Sequence, residues 1–435
     1  MKPPSQRDSL GLALALGSGL ILVMVTLSTP VPASDMPAYL GMARDGVFDV
    51  DAGTWAAGRD FVNGSWLAQK LAWWGFQAGG WPLLQAANAA LVALALVLVG
   101  RLGWLRNRGL GAGLAVFMAS TLMLQNTAMR PQSLAFVLAA AVMLAPRTWQ
   151  VGVLTALWAN LHGSFVLAPA LALVRERSLK RAGVAAVAWV VNPFTWKLLL
   201  YVLDNSSLPS ARGLDEWSST PLLSPIGVRL FFALVVTLGL GVRRKPPRLE
   251  LVLAGVMGLL ALSSVRHVAW FGLVAGPLVV GWLPAWESKE GEREPRFGRQ
   301  LLGLVAAICV AGLLRFAPWI AGPPTSRSSD AWLEPQAPVE VLQVLDQLEP
   351  HELNAPYRVA GLVRWRHPDW SVRVDHRIWI FTDEEWARYE HGRLRPEQGL
   401  LLIDLRREAW LADSTAHWEV LAEDELWSLR RAAAE

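Results

Sequence analysis

Trp158-Ala159-Asn160-Leu161-His162-Gly163-Ser164-Phe165 sits in the middle of an apolar run from 148 to 174. Whether the chain crosses a membrane there or turns back decides the topology. A single crossing would carry Arg175, Arg177, Lys180 and Arg181 to the side opposite Lys2 and Arg7, and Arg243, Arg244, Lys245 and Arg248 would follow them. A break at Asn160 to Gly163 into two short helices leaves every basic cluster on one side. Gly163 permits the tight reversal, and Lys and Arg gather in cytoplasmic loops. The charges therefore require the break.

Working outward, apolar runs near 10–27, 82–100, 109–125, 132–145, 226–241, 249–264, 268–283 and 300–319 read as further membrane helices. A spanning helix needs about 20 apolar residues, fewer where short or broken helices are buried in a bundle. A short return segment near 183–191 completes the scheme, giving about eleven crossings. The expectation is a multi-pass inner-membrane protein with a cytoplasmic N-terminus and an extracytoplasmic C-terminal domain. Val31-Pro32-Ala33 resembles a signal-peptidase site, but the preceding run exceeds the usual signal-peptide core, so a retained helix is expected. The topology is the same in both cases.

Composition agrees with this reading. Of 435 residues, 53% are hydrophobic and 17% charged, against about 25% charged in globular proteins. No acidic residue occurs between Asp60 and Glu176, which excludes one soluble globular domain. The net charge of +4 sums +12 over residues 1–325 and −8 over 326–435. It is thus no argument for nucleic acid as a partner. The single cysteine, Cys309, excludes an intrachain disulfide, a zinc cluster or an iron–sulfur site built on this chain. Phosphate-loop, dinucleotide and metalloprotease motifs are missing from the sequence.

The domains expected are a membrane part over 1–320 with outer loops 28–80 and 193–225, a linker over 321–334, and a small α/β domain over 335–435. In the first loop, Trp66, Leu67, Leu71, Trp73, Trp74 and Phe76 with Lys70 and Gln77 predict a helix lying in the interface. A second is predicted after Asn192-Pro193, with Asn192 as its N-cap. In the C-terminal part, helices are predicted over 338–349 and 383–391, and strands over 357–362, 371–375, 400–405, 417–421 and 426–430.

The broken-helix topology collects Asp35, Asp51, Asp60, Arg130, Asn160, His162, Asp215, Glu216, Arg266 and His267 on the outer face, which implies a site there. Asp35 either takes a proton from an acceptor hydroxyl, helps bind a cation, or caps a helix over 36–44. Arg130 and Arg266 either neutralise the phosphate of an anionic lipid headgroup or anchor helix ends at the interface. His162 contacts either a ligand or the carbonyls of the broken helix. Glu216 either orients substrate, shares a cation with Asp35, or is a solvated loop carboxylate.

The order of these motifs is informative: Ser34-Asp35 with Tyr39, Asp51, Trp66-Leu67-Ala68-Gln69, Arg130-Pro131, Trp158 to Phe165, Asn192-Pro193, Glu216-Trp217, Arg266-His267 and Val374-Asp375-His376-Arg377. It resembles a group of bacterial polytopic proteins that look like GT-C superfamily glycosyltransferases. In that group a strand-end Asp-Gly-Arg pattern is usual, and His376 here stands in place of the Gly. The resemblance implies a GT-C-like α-helical bundle, an outer-face active site and a polyprenyl-phosphate-linked sugar as donor. Asp35 matches the first-loop acidic position. The superfamily often has an acidic pair there, and Met36 follows Asp35, so a divalent cation as cofactor stays open.

Two functions are expected in order. The first is transfer of a sugar from the lipid-linked donor to an extracytoplasmic acceptor, with Asp35 as base, Arg130 and Arg266 as phosphate clamp, and Asp51, Asn160, His162, Glu216 and His267 around the substrate. The second is a non-catalytic membrane protein, either a polar-lipid transporter or an assembly factor of a cell-envelope glycan pathway whose C-terminal domain binds an envelope protein. A transporter places polar residues at mid-membrane, and here they gather at one face.

Overall fold

The computed structural model describes residues 6–204, 212, 214–284, 329–394 and 399–432. The expected run at 300–319, the core of the expected linker and Cys309 lie outside the described residues. The chain divides into two compact units. One joins Met1–Thr29, Gln85–Leu203 and Gly213–Ser326, and the other joins Pro30–Leu84, Asp204–Arg212 and Arg327–Glu435. The segment expected as the first loop thus clusters with the C-terminal segment.

Apolar sequence builds the helices in chain order: α1 (Gln6–Ser28), α2 (Asp35–Arg44), α3 (Trp66–Arg106), α4 (Gly111–Met123), α5 (Gln132–Leu144), α6 (Thr148–Ala159), α7 (Ala168–Glu176) and α8 (Leu179–Ala188). Three more follow at Pro225–Arg244, Arg248–Ser263 and Val268–Gly281. Among the described residues, three stretches are long and apolar enough to cross a membrane: Leu10–Ser28, Trp66–Arg106 and Pro225–Arg244. On the last of these, Phe232 is 62% and Val242 78% exposed. Such a face is solvated by lipid rather than by water.

α3 contains both elements expected around residue 80. Gly79 and Gly80 leave helical geometry, with Gly80 at φ 61° and Pro82 just beyond. This kink separates the tryptophan-rich segment from the apolar run at 82–100. Elsewhere small residues bring helices together. A Cβ on Gly113 of α4 would lie 2.5 Å from the carbonyl oxygen of Gly11 in α1, and one on Gly272 would lie 2.9 Å from Leu122. Packing of this kind is how apolar helices associate without a hydrophobic driving force.

The reversal at Asn160 to Gly163 is present. α6 stops at Ala159, a 3₁₀ turn spans Gly163–Leu167, and α7 runs back. Arg175 at the far end of α7 donates to the carbonyl of Met143 at 2.7 Å, and Arg181 donates to that of Pro146 at 3.3 Å. Both carbonyls lie just before α6, so residues 148–176 form a hairpin. At the other end, Asn160 Nδ2 donates to the carbonyl of Val191 at 2.7 Å. The segment after Arg177 therefore returns to the level of the reversal.

Asn192 does not cap a helix directly. Its Oδ1 accepts from the Phe194 amide at 2.7 Å and its Nδ2 donates to the carbonyls of Trp189 and Thr195. This local turn, with Thr195 at φ 50°, postpones the helix to Lys197–Asp204. A side chain that bonds its own backbone two residues on competes with helix initiation.

The second unit carries a five-stranded sheet in the order β2-β1-β3-β5-β4, with β1 (Glu352–Asn354), β2 (Ser371–Val372), β3 (Leu400–Asp404), β4 (Glu419–Glu423) and β5 (Trp427–Arg431). β1 pairs in parallel with β2 and β3, while β5 is antiparallel to β3 and β4. The strand expected over 357–362 is instead the helix Tyr357–Arg366. Val359, Ala360, Gly361, Leu362 and Val363 are all buried, so the helix is enclosed rather than amphipathic. Gly361 lets α2 pack on it, for a Cβ there would lie 2.6 Å from the Ser34 oxygen. β1 was not expected, since three residues show no periodicity.

Candidate functional site

Three loops of the first unit meet at one carboxylate. Arg130 precedes α5, Glu216 lies in a 3₁₀ turn at Asp215–Trp217, and Arg266 lies in another at Val265–His267. Glu216 Oε2 accepts from Arg130 Nη1, and its Oε1 accepts from Arg266 Nη1 at 3.0 Å. Ser264 Oγ donates to the Glu216 carbonyl at 3.0 Å, which ties the two turns together. The Arg266 guanidinium also lies 4.9 Å from the centre of the Trp217 ring. Burial opposes ionisation of Glu216, but Arg266 and Arg130 outweigh it and hold the carboxyl below its usual range.

A cavity of about 130 Å³ opens on this triad, lined also by Gln125, Asn126, Gln132 and Ser133. Gln132 is 3% exposed, and its Nε2 has no hydrogen-bond partner. Asn126 Oδ1 is likewise buried and unpartnered. Ser133 spends its proton on Asn88 Oδ1 at 2.6 Å. The sequence reading passed over these residues, though amides and a hydroxyl flanking Arg130 in an apolar stretch were a visible signal.

His162 sits at the reversal. Its Nδ1 accepts from the Ser164 amide at 3.1 Å and contacts Ser164 Oγ at 2.7 Å. The proton of the neutral ring is therefore on Nε2. Burial, then Arg266 and Arg130, push the ring well below its usual pKa, so it is neutral at pH 7. His267 packs edge-on against Trp217 with centroids 6.0 Å apart. Asn160 commits its amide to the carbonyls of Ala156 and Val191, a role in holding the reversal.

Asp35 and Asp51 belong to the second unit. Asp35 opens α2, and Ser34 before it makes no side-chain cap. One turn on, the Tyr39 ring meets the edge of His376 at 5.4 Å. Both ring nitrogens of His376 are buried without a hydrogen-bond partner. Burial lowers the pKa of His376, and Asp375 and Asp35 act against it. Asp51 is held by Arg377 and by Thr54 Oγ1 at 2.5 Å. Asp60 is exposed, and the side chain of Asp215 lies outside the described residues. Among the described residues, no three His, Cys, Asp or Glu side chains gather in a metal-holding group.

No protein-family model and no curated protein matches the sequence. Its structure is similar to the crystal structure of ArnT from Cupriavidus metallidurans bound to undecaprenyl phosphate, with a TM-score of 0.50 and 14% identity over 98% of this chain and 99% of that one. At this identity the likeness is one of fold alone.

Proposed function

We propose that this protein is a membrane glycosyltransferase that moves a sugar from a polyprenyl-phosphate-linked donor to an extracytoplasmic acceptor. The observation that carries the reading is the convergence of Arg130 and Arg266 on one small polar cavity. The fold supports it, being that of a protein crystallised with undecaprenyl phosphate. Two guanidiniums fixed by a shared carboxylate present planar donor forks to a phosphate without reorganising.

In the proposed reaction the acceptor oxygen bonds to the anomeric carbon as its proton passes to Asp35. The bond from that carbon to the phosphate oxygen breaks, and the electron pair leaves with the polyprenyl phosphate. The assignment of Asp35 as base rests on the resemblance of its first-loop position. The envelope-facing side of the second unit is where an acceptor or a partner protein would be met.

Mass spectrometry of lipid carried through purification tests the donor: a bound polyprenyl phosphate is expected, and its loss in Arg130→Ala. Asp35→Asn should alter the cell's glycan profile while the protein still folds. An unchanged profile together with lipid-free protein would overturn the reading and favour a non-catalytic assembly factor.

A further inference from the structure

The cavity beside Arg130 and Arg266 holds more than positive charge. Its two guanidiniums share the Glu216 carboxylate. On the same wall stand one unpartnered amide donor, Gln132 Nε2, and one unpartnered amide acceptor, Asn126 Oδ1. The two amides face each other at 3.5 Å. Turning both over exchanges their roles and still leaves one donor and one acceptor. Ser133, its proton already given to Asn88, adds acceptor capacity.

A hydroxyl is the group that donates once and accepts twice. Buried amides left unpaired are costly, so their pairing calls for a partner of that kind. We infer that this cavity binds a phosphodiester flanked by hydroxyls, with Gln132 and Asn126 reading a hydroxyl next to the phosphate that Arg130 and Arg266 hold. The inference rests on the phosphate reading above and narrows it: the site prefers the sugar-bearing donor to the bare lipid phosphate released after transfer. Gln132 and Asn126 are then the residues that set which sugar is accepted.

The test measures dissociation constants of the full-length protein in detergent for four probes: citronellyl phosphoglucose, citronellyl methyl phosphate, citronellyl phosphate and dihexanoylphosphatidylglycerol. The glucosyl diester should bind about tenfold more tightly than the methyl diester, the effect of one or two buried hydrogen bonds. Gln132→Leu and Asn126→Leu should each shrink that ratio toward one. An equal gain for the glycerol headgroup would assign the site to diester lipids with any neighbouring hydroxyl, and a gain for the glucosyl diester alone would assign it to glycosyl donors. Equal binding of the glucosyl and methyl diesters would overturn the inference and leave the phosphate reading standing. Wild-type protein that binds none of the four would overturn the phosphate reading as well. The wild-type ratio decides even where a variant fails to fold.

Discussion

Arg377 donates to the carboxylate of Asp51 across 326 positions of sequence, with both side chains sealed from solvent. The same guanidinium forks onto Asp375, through Nε at 3.0 Å and Nη2 at 2.6 Å. Burial works against the Asp375 carboxylate, and Arg377 more than compensates, holding its pKa well below the usual range. This lattice joins the segment after α2 to the C-terminal segment inside one unit.

Removing one member of such a set leaves a buried charge uncompensated, a cost of about 3–5 kcal/mol. Asp51→Ala should therefore lower the melting temperature markedly and reduce the yield of folded protein. Asp60→Ala, at an exposed position, should leave both near wild type. Equal stability of the two variants would show that the Asp51 pair contributes nothing.

Residues 335–435 expressed alone should lack a cooperative melt, and the same residues supplied with 30–84 should regain one. The Val372 amide donates to the Gly53 carbonyl at 3.0 Å and the Trp55 amide to that of Arg373 at 3.1 Å, so the first loop extends the β2 edge. Circular dichroism melts of the two preparations check this.

Much of the helical unit was legible because a membrane makes hydrophobic period and charge placement unusually explicit. The reversal at Asn160 followed from where Arg175 and Arg181 had to lie, and those side chains do cap the end of α5. Arg130, Glu216 and Arg266 were read as outer-face residues, and the triad they form was not, since pairing depends on loop geometry that carries no periodicity. Residues 357–362 read as a strand because Tyr357 and Val359 favour strands locally, while the helix over 357–366 is fixed by packing of Gly361 against α2. Nothing near Asp51 in sequence announces its pairing with Arg377.

Acid should weaken the second unit. The Arg59 hydrogen bond, followed by the Thr382 amide and Coulombic attraction to Arg59, overcomes burial and holds the Glu385 carboxyl at about 2. Asp375 is depressed as well. A carboxyl whose folded pKa is lowered contributes stability that is fully present above its ordinary value, about 4.3 for Glu, and that is lost as pH falls toward the folded value. The melting temperature should thus hold from pH 7 to about 5 and fall between about 4.5 and 2. Glu385→Gln should start lower at pH 7 and decline less over that window. A decline of the same steepness in the variant would assign the acid loss to other carboxyls.

The return of the chain after Arg177 is the least obvious feature of the membrane part and the easiest to test. α8 has 10 residues, a length of about 15 Å, which is half of a hydrocarbon core of about 30 Å. It would not span alone. Yet Asn160 at the turn bonds the Val191 carbonyl, and Arg181 at the start of α8 bonds the Pro146 carbonyl just beyond α5. The stretch from 178 to 191 therefore covers the same depth as α6. In a Cys309→Ser background, single cysteines replacing Arg147 and Arg177 should react with a membrane-impermeant maleimide only after the cytoplasmic face is opened. One replacing Lys197 should react in intact cells whose outer barrier is removed. Protection of Lys197→Cys together with the other two would mean that the chain stays cytoplasmic after α7, and the outer placement of Glu216 and Arg266 would fall with it. Reaction of Arg177→Cys from outside would instead mean a single crossing over 148–176, against the hairpin that Arg175 and Met143 close.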